Sequence, residues 1–293
     1  MGICFGVDLG GTKVSIGLVE NWKLIEEVER FFVAECKDAD DLVNAMVEAM
    51  ERLLKKKGLT WEDIEKIGIG SPGPLDQVTG TILKTPNLVI LQDFPLGPKV
   101  QDLTGVKTLV DNDANCFTLG EQRAGQAKGM DYVLGVTLGT GFGLGFVYKG
   151  EIYRGATGTA MEYALSPYKE GVFEDYISGR GLSKIYKEIH GDYLSPTQIY
   201  TLAQRKDPAA LDTWYEFGKH LGKALTYLVN VLDPEIIVMG GSVSKGYDFF
   251  YDSMKRELFK NIHDKPRKSL KLARSSLGEV AGIIGSASLN SFT

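Results

Sequence analysis

The feature of this sequence that most restricts its fold is a short apolar run that ends in a glycine turn and resumes after it. Residues 3–7 lead into Gly10-Gly11-Thr12-Lys13, residues 133–138 lead into Gly139-Thr140-Gly141, and an apolar run follows each turn. This pattern is typical of strand–turn–strand hairpins. Its repetition predicts a duplicated architecture with one glycine turn in each half.

Strand-like and helix-like segments alternate through the rest of the chain. Apolar residues recur at helical spacing over 41–54 and 214–232, and short apolar runs at 64–69, 107–110 and 236–239 are typical of buried strands. The last of these strands enters a third glycine turn, Gly240-Gly241-Ser242. The alternation predicts an α/β fold.

Two domains are expected from this organisation. We predict a smaller N-terminal α/β domain over residues 1–112 and a larger C-terminal α/β domain over 113–279. A small, apolar closing segment over about 280–293 is interpreted as a helix that packs back onto the first domain.

Composition excludes several classes of protein. A chain of 293 residues with 43% hydrophobic content can bury a full core, which excludes a disordered protein. Lys and Arg total 33 against 38 Asp and Glu, so no basic excess exists for nucleic acid. Three cysteines lie far apart without metal-ligand spacing, which predicts reduced thiols and no zinc site. Without a signal peptide or bilayer-length apolar stretch, we expect a soluble cytoplasmic protein with no membrane partner.

The glycine turns are candidates for phosphate binding, because backbone N–H groups approach a ligand closely where no Cβ intervenes. One such turn is weak evidence, since a hairpin can require glycine for structural reasons alone. Three turns that contain Thr or Ser, together with an early aspartate, favour phosphate binding over a purely structural role. The candidate ATP and phosphate residues are Asp8, Gly10, Gly11, Thr12, Lys13, Thr137, Gly139, Thr140, Gly141, Gly240, Gly241 and Ser242.

Two of these residues have specific expected roles. Asp8 would hold a magnesium ion, directly or through its waters. Lys13 is interpreted equally well as a phosphate contact or as a solvated lysine of the turn. No turn has the Walker A pattern Gly-x-x-x-x-Gly-Lys-Ser/Thr or the spacing of a dinucleotide fingerprint, so those two nucleotide-binding folds are excluded.

Asp113 is the candidate catalytic base. It follows a predicted strand and precedes a predicted helix over 114–123, so it could simply be the cap of that helix. Its position beside Asn112, between two glycine turns, favours proton acceptance instead. Phosphoryl transfer needs chiefly positioning and charge neutralisation, for which one carboxylate, magnesium and backbone donors suffice.

Five motifs in this order resemble the ROK family of sugar kinases: residues 7–13, 70–74 and 112–115, then 138–141 and 240–241. The resemblance covers nearly the whole chain. It implies two ribonuclease-H-like domains of the actin-like ATPase superfamily, with ATP bound in the interdomain cleft. It also implies a glucokinase-like transferase of carbohydrate metabolism, in which Asp113 takes the proton of the sugar hydroxyl.

The resemblance further implies the sugar contacts, which composition and spacing do not identify. These substrate-binding candidates are Ser71, Gly73, Asn87, Asn112, Glu162 and Glu174. Carboxylates suit vicinal hydroxyls because they accept two hydrogen bonds at once. Taken alone, a single Glu is usually a solvated surface residue, and the proline-glycine segments around Ser71 and Asn87 are ordinary loops.

The chain departs from the family between the two glutamates. The family has a histidine and a cysteine-rich zinc loop there, whereas Leu165 replaces the histidine and residues 163–173 contain no cysteine or histidine. His190 and His220 lie outside this segment and are interpreted as surface or structural histidines. The departure leaves the identity of the sugar open.

Two other functions share this fold. A non-catalytic sugar or nucleotide sensor is the first; a repressor would need a DNA-binding helix-turn-helix ahead of the first hairpin, where seven residues precede Asp8. A filament-forming or chaperone ATPase would keep the glycine turns but need not keep the pair Asn112-Asp113, so the pair favours a kinase. Homodimerisation is left open.

Overall fold

The strands predicted around the glycine turns are present in the structure, a computed structural model that describes residues 2–86 and 88–290. The strands are β1 (Ile3–Leu9), β2 (Lys13–Glu20), β3 (Lys23–Leu24), β4 (Glu29–Phe32), β5 (Ile64–Ser71), β6 (Leu75–Asp76), β7 (Thr81–Ile82), β8 (Thr108–Asn112), β9 (Tyr132–Leu138), β10 (Phe142–Tyr148), β11 (Glu151–Ile152), β12 (Pro167–Tyr168), β13 (Gly171–Val172), β14 (Ile236–Gly240) and β15 (Lys271–Arg274). The helices are α1 (Ala39–Lys57), α2 (Leu96–Thr104), α3 (Asp113–Ala124), α4 (Gly179–His190), α5 (Pro196–Gln204), α6 (Pro208–Leu232), α7 (Tyr247–Lys260), α8 (Asp264–Ser269) and α9 (Val280–Ala287).

The chain divides into two units that each contain several segments. Unit 1 comprises Met1–Gly129, Gly145–Ala160 and Ser276–Thr293, and unit 2 comprises Met130–Leu144 and Met161–Ser275. Helix α3 therefore lies in unit 1, beyond the boundary predicted after residue 112. The reason is that α3 packs along α9, which also belongs to unit 1.

The sheet of unit 1 has the strand order β3-β2-β1-β5-β8, with β4 paired to β2. Strand β1 runs antiparallel to β2 and parallel to β5, which is parallel to β8. Side chains alternate between the two faces of β1: Phe5, Val7 and Leu9 belong to the core that contains α1, whereas Cys4 packs with Ile283 of α9. By the same alternation, Asp8 lies on the α9 face of the sheet.

Helix α9 lies unusually close to this sheet. A Cβ at Gly6 would collide with the carbonyl oxygen of Ile283, and one at Gly68 would collide with that of Ser286. Helix α3 approaches in the same way, since a Cβ at Gly285 would collide with the carbonyl oxygen of Cys116. Glycine is unfavourable inside an isolated helix, but here it permits a contact that no other residue allows.

In unit 2 the sheet order is β10-β9-β14-β15, and β14 runs parallel to both β9 and β15. The end of β10, which belongs to unit 1, pairs antiparallel with β11. Helices α6 and α7 pack on each other through Trp214, Phe217 and Phe250, whose ring centroids lie 5.5–5.9 Å apart. Within the described ranges, no helix has both the length and the apolar character needed to cross a membrane.

Candidate functional site

The carboxyl ends of the parallel strands in unit 1 bring three predicted site segments together. Asp8 at the end of β1 is the register partner of Gly70 on β5, and Ser71 is the partner of Asn112 on β8. Ligands of open α/β sheets bind at this edge, where the strands end and loops begin. Asp8 and Asn112, which are far apart in sequence, thus lie on strands that flank β5 on its two sides.

Asp8 is held in a poorly solvated position. Its pKa is raised to about 7, chiefly by burial and next by the nearby carboxylate of Asp113, while Lys13 opposes the shift. Part of this burial comes from α9, because a Cβ added to Gly282 would lie 3.0 Å from the carboxyl carbon of Asp8. A nearby cation would stabilise the ionised form of a carboxylate in such a poorly solvated place.

The cap of helix α3 is Asn112, which corrects the interpretation of Asp113 as a cap. Asn112 has extended backbone angles, and its Oδ1 accepts hydrogen bonds from the N–H groups of Ala114 at 2.9 Å and Asn115 at 3.4 Å. Both Asn and Asp are good capping residues, so the sequence could not decide between them. Asp113 is the first residue of the helix and is not needed to cap it.

The Asp113 carboxylate lies at the positive end of the α3 dipole. Its Oδ1 accepts a hydrogen bond from Ala114 N at 2.8 Å. Burial raises the pKa of Asp113, and this backbone hydrogen bond opposes the shift. A carboxylate with a raised pKa is a better proton acceptor than an exposed one.

Sequence reasoning missed the residue that holds this segment, Asp111. Its side chain is fully buried, and its Oδ2 accepts a hydrogen bond from Arg154 Nε at 2.7 Å. The other oxygen, Oδ1, accepts from Asn112 N at 2.7 Å and from Asn115 Nδ2 at 2.9 Å. Asp111 therefore fixes the backbone beside the candidate base. Little in the sequence signals this role, because Asp111 directly follows the apolar run 107–110 and precedes two more polar residues.

The first glycine turn follows β1 directly. Gly10 N donates to the carbonyl oxygen of Lys13 at 3.0 Å, and Val33 N donates to that of Thr12 at 2.9 Å. Gly10 does not lie in the left-handed region that favours glycine. The Lys13 ammonium pairs with Glu279 at 2.9 Å in an exposed ion pair. Such a pair is weak, so it does not prevent Lys13 from meeting a phosphate.

The two glycine turns of unit 2 follow neighbouring parallel strands. Thr137 near the end of β9 is the register partner of Gly240 at the end of β14. Gly241 has a φ of 84°, and a Cβ there would collide with the carbonyl oxygen of Leu138, so this position requires glycine for structural reasons. Gly139 has neither constraint: its φ is not left-handed, and its Cβ would meet no atom within 4 Å.

The open side of Gly139 therefore favours the functional interpretation of its turn, because folding alone does not demand a glycine there. Gly139 N donates to the carbonyl oxygen of Gly141 at 3.0 Å, and Gly179 N at the start of α4 donates to that of Gly139 at 2.8 Å. Thr140, between the two glycines, extends this turn. Backbone anchored in this way needs little reorganisation to receive a phosphate.

The two candidate sugar glutamates lie on separate 3₁₀ helices of unit 2, Glu162–Leu165 and Phe173–Asp175. Glu162 is exposed. Glu174 accepts hydrogen bonds from Phe142 N at 2.9 Å and from Arg180 Nη2 at 3.1 Å. The Glu174 carboxylate therefore also holds the residue that follows the turn of Gly139, Thr140 and Gly141.

The remaining candidate sugar contacts are in unit 1. Ser71 is fully buried, and its hydroxyl donates to the carbonyl oxygen of Pro72 at 3.3 Å. Gly73 follows in the same loop. Asn87 lies outside the described residues. Within residues 2–86 and 88–290, no group of three or more His, Cys, Asp or Glu side chains is arranged to hold a metal ion.

Nearly the whole chain matches proteins of one family. The model of the ROK family matches residues 4–291. The glucokinase of Thermotoga maritima is 28% identical, over 97% of this chain and 96% of its own. The N-acetyl-D-glucosamine kinase of Mannheimia succiniciproducens is 26% identical, over 97% of this chain and 98% of its own.

A solved structure agrees with these relatives. The ROK family glucokinase from Streptomyces griseus, in complex with glucose and AMPPNP, superimposes with a TM-score of 0.82 at 29% identity, over 98% of both chains. This chain belongs to the ROK family. The family membership and the α/β fold of the actin-like class predicted from the sequence are confirmed.

Proposed function

We propose that this chain is an ATP-dependent sugar kinase that transfers the γ-phosphate to a hydroxyl of a hexose or a related sugar. The observation that carries the proposal is the position of Asp113, at the first turn of α3 beside Asn112 and near Asp8. The names of the relatives, glucokinase and N-acetyl-D-glucosamine kinase, support a sugar as the acceptor.

In the proposed reaction, the sugar hydroxyl oxygen forms a bond to the γ-phosphorus as the bond to the β,γ-bridging oxygen breaks. The hydroxyl proton passes to the Asp113 carboxylate, and ADP leaves. The raised pKa of Asp113 favours this proton acceptance. The Oδ1 atom of Asn112 caps the helix, so its Nδ2 group is the atom that would donate to a sugar oxygen.

The phosphates of ATP would be held by backbone N–H groups of the glycine turns and by the hydroxyls of Thr12 and Thr140. Asp8 fits a magnesium site, since Mg²⁺ often uses only one or two protein carboxylates and completes its shell with phosphates and water. The raised pKa of Asp8 agrees with a carboxylate placed for a cation. Bound Mg²⁺ would neutralise charge on the phosphates.

The sugar would be recognised by Ser71, Gly73, Asn87, Asn112, Glu162 and Glu174. The cytoplasmic location, the absence of nucleic-acid and membrane partners and the absence of zinc stay predictions, and homodimerisation stays open. A non-catalytic sensor of the same fold would bind these ligands without turnover.

A coupled assay of ADP release, with Mg²⁺-ATP and a panel of glucose, mannose and N-acetylglucosamine, tests the proposal. We expect ADP release to depend on at least one sugar. Asp113→Asn should lower kcat at least about a hundredfold with little change in sugar binding. Asp102→Asn on the exposed side of α2 is the control. ADP release that ignores every sugar, or a folded Asp113→Asn variant with normal kcat, refutes the proposal.

A further inference from the structure

The two candidate sugar carboxylates, Glu162 and Glu174, lie in a segment with little regular structure. Their 3₁₀ helices contain four and three residues, and only the short hairpin of β12 and β13 lies between them. Such short helices do not hold a side chain in place by themselves. Hydrogen bonds from Phe142 N and Arg180 Nη2 hold the Glu174 carboxylate, and other contacts must set the position of Glu162 relative to it.

Three aromatic rings supply those contacts. Tyr163 stacks on Phe173 with centroids 5.0 Å apart and an interplanar angle of 26°. Phe173 stacks on Tyr168 at 4.3 Å and 11°. Tyr163 follows Glu162 directly, and Phe173 precedes Glu174 directly. We call Tyr163, Phe173 and Tyr168 the aromatic stack; it links the residue next to one carboxylate with the residue next to the other.

The aromatic stack is anchored on helix α6 through His220. Tyr168 Oη lies 2.8 Å from His220 Nδ1, and Lys169 Nζ lies 3.4 Å from His220 Nε2. An ammonium group can only donate, so Nε2 accepts and the proton of the neutral ring is on Nδ1, which donates to Tyr168. Burial, and next the charge of Lys169, lowers the pKa of His220 to about 4, so the ring stays neutral near pH 7.

The strength of these contacts is sufficient for a positioning role. Each stacked aromatic pair contributes about 0.5–1.5 kcal/mol beyond the burial of its area. Phe173 is almost fully buried, and Tyr176 adds an edge contact to Tyr168 at 5.4 Å. Backbone hydrogen bonds reinforce the segment, from Ser166 N to the carbonyl oxygen of Tyr163 at 3.0 Å and from Phe173 N to that of Ser166 at 3.1 Å.

We propose that the aromatic stack, anchored by His220, positions Glu162 and Glu174 for the sugar hydroxyls, so that its residues determine sugar affinity without contacting the sugar. This inference rests on the proposed kinase function. Loss of a ring would let the 3₁₀ helix of Glu162 move relative to that of Glu174. Sugar hydroxyls would then meet one carboxylate at a time, which weakens binding.

Tyr163 allows a matched test, because Tyr163→Leu removes the ring and the hydroxyl, whereas Tyr163→Phe removes only the hydroxyl. We expect Tyr163→Leu to raise the sugar KM about tenfold, with KM for ATP changed less than about twofold. Tyr163→Phe should keep both KM values. A purely structural loss would reduce the active fraction, and so kcat, without changing the sugar KM selectively.

Hydrogen exchange of residues 161–176 gives a readout that does not depend on turnover. Exchange should be faster in Tyr163→Leu and unchanged in Tyr163→Phe. The inference is overturned by an unchanged sugar KM in folded Tyr163→Leu, by equal effects on both substrates, or by unchanged exchange. Failure of the proposed function is distinct: the unmodified protein would then release no ADP in response to any sugar, while the exchange measurement would still test the ordering role of the stack.

Discussion

The half-buried carboxylate of Asp8 should make the ligand-free protein less stable as the pH rises. Its pKa is raised from 3.8 to about 7, first by burial and next by the Asp113 carboxylate. Between these two pH values the folded state therefore binds more protons than the unfolded state, and the free energy of unfolding falls with increasing pH. The stability that protonated Asp8 contributes is fully present below about pH 4 and is lost above about pH 7.

The size of this stability change follows from the pKa shift of Asp8. About three pKa units at about 1.4 kcal/mol each give a cost of about 4 kcal/mol for ionised Asp8 at pH 8, against about 1.5 kcal/mol at pH 5. Asp8→Asn keeps the shape of the side chain and removes its charge. The difference in free energy of unfolding between Asp8→Asn and the unmodified protein should therefore grow in favour of the variant by about 2–3 kcal/mol between pH 5 and pH 8.

Urea unfolding followed by circular dichroism at both pH values measures this difference directly. Any constant effect of the amide cancels when the two pH values are compared. Asp102→Asn, at an exposed position of the same unit, is the control and should show no such growth. The reasoning is refuted if the stability difference between Asp8→Asn and the unmodified protein is the same at pH 5 and pH 8. The stabilised variant should also lose sugar-dependent ADP release.

Two further predictions concern the glycine turns and the support of the catalytic segment. Gly139→Ala should raise KM for ATP about tenfold and leave the midpoint of urea unfolding unchanged. Gly241→Ala should clearly lower that midpoint, because its Cβ would collide with the Leu138 carbonyl oxygen. Equal stability losses in the two variants would contradict the assignment of Gly139. Arg154→Met should lower the free energy of unfolding by about 3–5 kcal/mol, because it leaves Asp111 buried without its cation. A loss below about 1 kcal/mol in urea unfolding would contradict this second prediction.

Local patterns predicted much of the fold and part of the candidate site. The hairpins at Gly10 and Gly139 were visible because apolar runs and turn residues are contiguous in sequence. The position of Asp113 at the start of a helix was predictable for the same reason. The membership of α3 in unit 1 was not, because it depends on glycines that let α3 approach α9 from a distant part of the chain.

The aromatic stack could not be predicted either, although its residues are plain in the sequence. Tyr163, Tyr168, Phe173 and Tyr176 follow neither a helical nor a strand period. For residues 163–173 the sequence therefore predicted only that the histidine and the zinc ligands of the family are missing. His220 was expected to be a surface or structural residue, and its structural role depends on the helix α6 that presents it.

The closing helix α9 connects the packing of unit 1 with the chemistry proposed for it. The glycines at 6 and 68 admit α9 to the sheet, and Gly282 then brings its backbone against Asp8. A larger residue at any of these positions would push the helix away and admit water. Water would lower the pKa of Asp8 towards its ordinary value, because burial is the main cause of the shift. The same close packing that stabilises the sheet thus shields Asp8 from part of the solvent, and a poorly solvated carboxylate gains more from binding a cation than an exposed one.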